Sequence, residues 1–254
     1  MIISDVHCHL DYFDEKRREE VIANSMAAGV KAIITNGTTP ESNRTSIELS
    51  RKYPIVKAAL GLHPEFIDKF NEDLIQNELD FIKQHKDEIV AIGEIGLDFH
   101  WVKDKALLMR QKKLFEMQLS LAEQIGKPVI VHTREAEQEC IQILTSYKPS
   151  AVVLHCFSGG KELIKRGFDL GFMFSIPANI VRSKHFQRMA ETLPLSRVLS
   201  ETDAPFLSPY PGRENEPAFI SETIKKVAGI KKMSEEEVAN ILYSNYQKTF
   251  TFNK

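Results

Sequence analysis

The amino-acid sequence predicts an α/β protein built as a single (β/α)8 TIM barrel over residues 1–254. Eight short runs rich in Val, Ile, Leu and Ala alternate along the chain with segments of helical periodicity. The runs lack the polar–apolar alternation of half-exposed strands, which is typical of parallel strands buried on both faces. Alternating strands and helices indicate a parallel sheet, and eight of them in 254 residues favour a closed barrel over an open doubly wound sheet.

The predicted elements follow one another without a linker or an internal repeat. The eight predicted strands are residues 2–6, 31–35, 56–60, 89–93, 129–131, 151–154, 172–176 and 198–200. The clearest helical period covers residues 114–125 and ends before a Gly-Lys-Pro sequence. A further helix is predicted at residues 220–227, and a capping box from Ser234 to Glu237 predicts the start of another. The proline-rich segment 205–217 predicts one long ordered loop after the last strand.

Composition excludes several classes of protein. The net charge of −2 leaves no broad basic surface of the kind that binds duplex DNA non-specifically. Three cysteines cannot form a disulfide framework and indicate a reducing compartment. Because the N-terminus turns polar at Ser4 and no apolar run is long enough for a membrane span, we expect a cytoplasmic protein without a signal peptide or a membrane partner. A monomer with no obligate protein partner is the default expectation.

Residues of metal-ligand type follow the predicted strands. The catalytic residues of TIM barrels come from the C-terminal ends of the strands. Five of the eight histidines lie there, namely His7, His9, His63, His132 and His155. Two carboxylates join them, since Glu94 ends the fourth strand and Asp203 follows the eighth. In a strand, side chains two residues apart point to the same face, so the first two histidines should project together.

Imidazole and carboxylate together suit Zn²⁺, Mn²⁺, iron or, where carboxylate dominates, Mg²⁺. The six residues predicted to be ligands are His7, His9, Glu94, His132, His155 and Asp203. Six ligands exceed the need of one catalytic ion, so we expect two divalent ions joined by a carboxylate. Glu94 stands between the two sets of histidines in barrel order and is the candidate bridge. Each residue alone would suit a hydrogen-bonded core side chain equally well, so this expectation depends on the whole set.

Six motifs that contain these residues resemble, in order and from end to end of the chain, those of the TatD family of metal-dependent deoxyribonucleases. They are Asp5-Val6-His7-Cys8-His9, Gly61-Leu62-His63-Pro64, Gly93-Glu94-Ile95-Gly96-Leu97-Asp98, Val131-His132-Thr133-Arg134-Glu135-Ala136, His155-Cys156-Phe157-Ser158-Gly159 and Glu201-Thr202-Asp203-Ala204-Pro205. The resemblance implies an amidohydrolase-type TIM barrel that removes nucleotides from single strands or ends of DNA, in the manner of a 3′–5′ exonuclease, during DNA repair or degradation. It also implies an ion held by His7, His9 and Asp203, a second ion held by His132 and His155, and Glu94 as the bridge.

The chain departs from the family pattern at two positions. Glu65 stands where the family often carries a second histidine, after the Gly-Leu-His-Pro turn. Glu214 stands where the family commonly has an arginine, before Asn215-Glu216-Pro217. Both changes are expected to place an acidic group near the phosphate site, which bears on substrate preference more than on chemistry.

We assign roles by residue chemistry. Asp203 is the candidate general base that takes a proton from water. His63 is expected to hydrogen-bond a phosphate or protonate the leaving oxygen, or else to stabilise its turn. Arg134 is a candidate phosphate ligand or a partner in a rim salt bridge. Glu201, two residues before Asp203, is a candidate substrate-side carboxylate or a group that orients a ligand. The cluster Phe99-His100-Trp101 would stack a base or pack its own loop.

Two other functions fit the same constellation. One is an amidohydrolase-type esterase or amidase, such as a D-aminoacyl-tRNA deacylase. Many such enzymes bridge two metals with a modified lysine at the end of strand four, where this chain has Glu94. The other is a non-catalytic metal-binding barrel, against which the complete ligand set weighs.

Overall fold

Eight parallel strands form one sheet in the order of the chain in the computed structural model, which describes residues 1–250. The strands are β1 Ile3–Cys8, β2 Val30–Asn36, β3 Val56–Leu60, β4 Ile89–Gly96, β5 Val129–His132, β6 Val152–Leu154, β7 Met173–Pro177 and β8 Val198–Glu201. Every predicted strand overlaps an observed one, and β4 runs three residues further than predicted. The predicted end of the barrel at residue 254 lies outside the described residues.

The first and last strands meet and nearly close the barrel. Cys8 and Ala204 form a parallel bridge. The Asp203 N–H donates to the His7 carbonyl at 2.8 Å, and the His9 N–H donates to the Ala204 carbonyl at 2.7 Å. The predicted TIM barrel is therefore confirmed, and its closure brings the ends of β1 and β8 together.

Nine helices are present in residues 1–250. They are α1 Glu15–Ala27, α2 Pro40–Lys52, α3 Glu72–Gln84, α4 Lys105–Ile125, α5 Glu137–Leu144, α6 Lys161–Asp169, α7 Lys184–Thr192, α8 Ile220–Lys231 and α9 Glu235–Phe250. Helix α4 ends at Gly126, whose φ of +65° is the left-handed conformation that glycine adopts without strain. The predicted capping box is present, because the Glu237 N–H donates to the Ser234 hydroxyl at 3.2 Å. None of these helices is long and apolar enough to cross a bilayer.

The apolar side chains form two clusters. The smaller cluster takes one or two residues from every strand, such as Val6 and Leu199, and adds Tyr246 and Phe250 of α9. The larger cluster joins the strands to the surrounding helices. Because side chains fill the barrel interior, a ligand can bind only outside it, and in TIM barrels the active site lies at the C-terminal ends of the strands.

Candidate metal centre

A cavity of about 480 Å³ opens at the C-terminal ends of the strands. Seven of the nine residues predicted for the site line it, namely His9, His63, Glu94, His132, Arg134, His155 and Asp203. His7 and Glu201 are fully buried and do not line it. The barrel therefore gathers at one place residues that are spread over nearly the whole chain.

His7, His9 and Asp203 form what we call the first ligand group. The His7 Nε2 atom lies 3.2 Å from His9 Nε2 and 3.6 Å from Asp203 Oδ1. His9 Nε2 lies 3.5 Å from the same carboxylate oxygen. Asp203 reaches this position with a φ of +59°, a left-handed conformation that Asp tolerates better than most residues.

Glu94 joins the first ligand group through one carboxylate oxygen. Its Oε2 atom lies 3.3 Å from His7 Nε2 and 3.4 Å from His9 Nε2. Around a tetrahedral zinc ion with bonds of about 2.0–2.1 Å, neighbouring ligand atoms lie about 3.4 Å apart. The separations in this group, from 3.2 to 3.6 Å, fit such a shell.

His132 and His155 form the second ligand group, which faces the other oxygen of Glu94, and His63 lies beside them. Glu94 Oε1 lies 2.9 Å from His132 Nδ1, 3.4 Å from His63 Nε2 and 3.5 Å from His155 Nε2. The two oxygens of the buried Glu94 carboxylate thus face two different sets of histidine nitrogens. The donor set fits two divalent ions, with His63 as close to the carboxylate as His155.

The hydrogen bonds of the rings, however, separate His63 from His9 and His155. The Nδ1 atom of His9 donates to the Asn36 carbonyl at 3.0 Å, and that of His155 donates to Glu201 at 2.9 Å. In a neutral ring this leaves the Nε2 lone pair free for a metal. His63 Nδ1 instead accepts the Glu65 N–H at 3.2 Å, so its neutral ring carries the proton on Nε2. His63 therefore presents a hydrogen-bond donor to the cavity and not a metal ligand.

Asp98 is a site residue that our sequence reasoning did not assign. It is buried after β4, and its Oδ2 atom lies 2.8 Å from His132 Nε2. The opposite ring nitrogen, Nδ1, faces Glu94. A carboxylate on the far nitrogen of a metal-ligating histidine fixes the ring and its tautomer. The signal in the sequence was its place at the end of the Glu94 motif, four residues beyond that carboxylate.

The electrostatics of the centre favour positive charge. Burial opposes the ionisation of Glu94, yet the surrounding His63, His7 and His155 outweigh it and hold the pKa of this carboxyl well below its usual range. Burial also disfavours charge on His132, but hydrogen bonds to Asp98 and Glu94 raise the pKa of this ring to about 9. Without an ion, protons on the rings therefore balance the acids. Divalent cations would displace these protons.

Two histidines of the centre have lowered pKa values. Burial lowers the pKa of His7, and the charge of the neighbouring His155, whose ring stacks on it at 3.6 Å, adds to the effect. Burial likewise lowers the pKa of His63. Because Nδ1 of His63 accepts a hydrogen bond, its neutral ring donates from Nε2 into the cavity.

Arg134 and Trp101 lie together at the mouth of the cavity. The guanidinium carbon of Arg134 lies 5.3 Å from the centre of the Trp101 ring. No salt bridge to Arg134 occurs within residues 1–250, so the expected rim ion pair is not formed there. His100 pairs with Glu135 at 2.6 Å, and Phe99 packs against the core, so of the predicted aromatic cluster only Trp101 lines the cavity.

Glu201 supports the centre from behind. Its carboxylate accepts hydrogen bonds from the Cys156 N–H at 2.9 Å and the Ser175 hydroxyl at 2.6 Å, besides that from His155. Since Glu201 is fully buried, an orienting role replaces the expected contact with substrate. Side chains two residues apart on a continuous strand would point the same way, but β8 ends at Glu201 and Asp203 adopts a left-handed conformation beyond it.

The two acidic departures from the family pattern differ in position. Glu65 is exposed and lines the cavity, as expected. Glu214 does not line it, because its carboxylate accepts a hydrogen bond from Arg17 Nε of α1 at 2.9 Å. The expectation of two acids at the phosphate site is corrected to one.

Comparison with known proteins gives consistent matches over the whole chain. The family model described as TatD related DNase matches residues 4–251. MJ1582 of Methanocaldococcus jannaschii, named an uncharacterized metal-dependent hydrolase, is 37% identical over 97% of this chain and 96% of its own. YabD of Bacillus subtilis, described in the same words, is 33% identical over 99% of this chain and 100% of its own. The crystal structure of the TatD homologue YjjV from Escherichia coli superposes with a TM-score of 0.91 at 28% identity, covering 99% of this chain and 98% of that one.

Proposed function

The chain belongs to the family of TatD-related DNases and is a metal-dependent hydrolase, and on that premise we propose that it cleaves phosphodiester bonds at single strands or ends of DNA with two divalent ions. The observation that carries the proposal is the arrangement around Glu94. One of its oxygens faces His7 and His9 at 3.3 and 3.4 Å, and the other faces His132 at 2.9 Å. A carboxylate shared in this way is the usual bridge of a two-ion hydrolytic site.

The residues that would hold the ions follow from the two groups. His7, His9 and Asp203 would hold one ion, His132 and His155 would hold the other, and Glu94 would contact both. Mg²⁺, Mn²⁺ or Zn²⁺ suits this set of imidazole and carboxylate donors. When bound, such ions activate a water molecule as nucleophile and offset negative charge on the phosphate oxygens.

The remaining steps belong to side chains of the chain itself. Asp203 turns Oδ1 toward His7 and His9, which leaves Oδ2 to accept the proton of the attacking water as general base. His63 donates from Nε2 to a phosphate oxygen or to the leaving oxygen. Because burial lowers the pKa of His63, we favour a neutral hydrogen-bond donor over a full proton transfer. Arg134, which forms no salt bridge within residues 1–250, would bind a phosphate of the substrate.

An assay of the purified protein on 3′-labelled single-stranded DNA with Mg²⁺ or Mn²⁺ tests the proposal. We expect release of mononucleotides, and we expect the Asp203→Asn variant to lower the rate by about 10²- to 10⁴-fold, the range of general acid–base catalysis. Asp87→Asn is the matched control, because Asp87 is exposed just before β4, at the opposite end of the barrel. Absence of cleavage of any phosphodiester would refute the proposal. Release of an amino acid from aminoacyl-tRNA instead would assign the site to ester hydrolysis.

A further inference from the structure

Exposed aromatic side chains are concentrated at the mouth of the cavity. Large apolar side chains that are exposed number ten within residues 1–250, and three of them line this one cavity. They are Tyr12, Trp101 and Phe206, exposed by 45%, 60% and 52%. Single exposed apolar residues are common on soluble proteins, but a cluster of them around a polar cavity indicates a surface for a ligand.

Tyr12 and Phe206 form a pair beside the first ligand group. Their ring centres lie 5.7 Å apart and their planes meet at 82°, an edge-to-face contact. The ring of Tyr12 also stacks on that of His9 at 5.3 Å. The Phe206 N–H donates to the Asp203 carbonyl at 2.8 Å. Both aromatic residues are thus tied to residues of the first ligand group.

Trp101 occupies the corresponding place beside the second ligand group. Its backbone N–H donates to Asp98 Oδ1 at 2.6 Å, and the other oxygen of Asp98 holds His132. Arg134 lies over its ring. Trp101 is therefore connected to the second ligand group through the Asp98 carboxylate. The guanidinium of Arg134 beside it could bind a phosphate.

We infer that these aromatic residues are two base-stacking surfaces, one on each side of the scissile phosphate, so that cleavage of a DNA strand depends on a base on both sides of the cleaved bond. The inference rests on the proposed function. A phosphate bound at the ions would have one neighbouring base near Tyr12 and Phe206 and the other near Trp101. Stacking uses the face of a base and tolerates any sequence. Paired bases inside a duplex expose only their edges, so a blunt duplex would not engage both surfaces.

Binding provides the first test, because Trp101 is the only tryptophan of the chain and its fluorescence reports on that surface alone. The probe is a short single-stranded oligonucleotide with phosphorothioate linkages, which slow hydrolysis, added to the Mg²⁺-loaded protein. We expect it to quench Trp101 fluorescence, and we expect an abasic oligonucleotide of the same length and charge to bind about tenfold more weakly. Equal quenching by both oligonucleotides would overturn the inference.

Cleavage provides the second test. Single abasic sites are placed on the 5′ or the 3′ side of the terminal phosphodiester. In the wild type, we expect removal of either base to lower kcat/KM about tenfold. In Phe206→Ala, removal of the base on one side should no longer lower kcat/KM, and in Trp101→Ala the same should hold for the base on the other side. Each variant should therefore cleave the base-bearing substrate about tenfold less efficiently than the wild type does. The conservative variants Phe206→Tyr and Trp101→Phe should keep the dependence of kcat/KM on the base. Phe168 is an exposed aromatic residue on α6 away from the cavity, so Phe168→Ala should not change this dependence.

The two tests separate the two proposals. If both alanine variants slow abasic and base-bearing substrates to the same extent, the aromatic residues only support the centre and the inference is wrong. If the wild type cleaves no phosphodiester but its fluorescence still depends on the bases, the proposed hydrolysis is wrong and the stacking surfaces stand as a binding site.

Discussion

The two ligand groups use the same kinds of side chain but are supported by different parts of the chain. The first group is supported by the strands that carry it. Backbone hydrogen bonds join His7 to Asp203 across the closure of the barrel, and the buried Asp5 carboxylate accepts the Thr202 N–H at 3.0 Å. This support comes from β1, β8 and the loop after β8, together with the Asn36 carbonyl at the end of β2, which accepts from the His9 ring.

The second ligand group depends on buried amide side chains from the helices. On α4, Gln118 accepts the Leu62 N–H at 2.8 Å and donates to the Leu62 carbonyl at 3.2 Å. Gln111 of the same helix accepts the Asp98 N–H at 3.1 Å and donates to the Pro64 carbonyl at 3.0 Å. These amides fix the turn that carries His63 and the loop that carries Asp98.

Because the two ligand groups have different supports, substitutions should affect them separately. A change in α4 should reach the second ligand group without moving the first, because the buried amides Gln111 and Gln118 of α4 make their hydrogen bonds within residues 1–250 to Leu62, Pro64 and Asp98 and not to β1 or β8. A change in Glu94 should reach both, because this side chain alone belongs to both. Substitutions can therefore test whether the two halves are independent.

The largest effect is expected for Glu94→Gln, because this substitution affects both ligand groups at once. The amide removes the negative charge that faces both groups, so the variant should lose both ions and lower the rate by at least about 10³-fold. Ion content by inductively coupled plasma mass spectrometry, together with the rate on single-stranded DNA, measures this. Glu116→Gln, an exposed change on α4, is the control. Retention of one tightly bound ion would show that Glu94 serves a single group.

Gln111→Leu should weaken the loops that support the second ligand group. It leaves the N–H of Asp98 and the carbonyl of Pro64 buried without their partner. We expect the free energy of unfolding, measured with urea, to fall by about 2–4 kcal/mol, since each unsatisfied group costs roughly 1–3 kcal/mol. Gln124→Leu makes the same change on the exposed face of α4 and should stay within about 0.5 kcal/mol of wild type. A fall of similar size in both would mean that the amide network is not responsible.

Asp98→Asn and Glu201→Gln should sharpen the comparison, since these carboxylates hold His132 and His155 through the nitrogens that face away from Glu94. Loss of such a partner typically weakens metal binding by about 10- to 100-fold. Titration with Mn²⁺ followed by electron paramagnetic resonance should show one ion bound as in wild type and one bound more weakly. If both ions weaken equally, the two groups are coupled more tightly than their separate supports suggest.

The fold and the gathering of the candidate ligands at one end of the barrel were predictable because both depend on simple regularities. Buried parallel strands leave apolar runs that can be counted, and their C-terminal ends must meet in a barrel. Histidines as far apart as His7 and His155 could therefore be grouped before any coordinates. The supports of the second group were not predictable, because Gln111 and Gln118 resemble any polar residues of a helix until the helix is docked.

Two assignments needed three-dimensional detail. The role of His63 depends on which ring nitrogen is occupied, and the Glu65 N–H that occupies it comes from the following turn. The pairing of Glu214 joins residues 197 positions apart, through a contact between Arg17 of α1 and the loop after β8. Periodicity and motif spacing contain no information about either contact.

The smallest effect concerns the two acidic departures, one on each side of the centre. Glu65 presents its charge to the cavity beside the second group, whereas Glu214 lies outside the cavity and pairs with Arg17. We expect Glu65→Gln to lower the KM for single-stranded DNA about threefold at low salt, with less effect at high salt because added ions screen an exposed charge. Glu214→Gln is the matched control and should leave the KM unchanged. An equal fall in both would mean that general repulsion of DNA by the surface, and not the charge inside the cavity, sets the affinity.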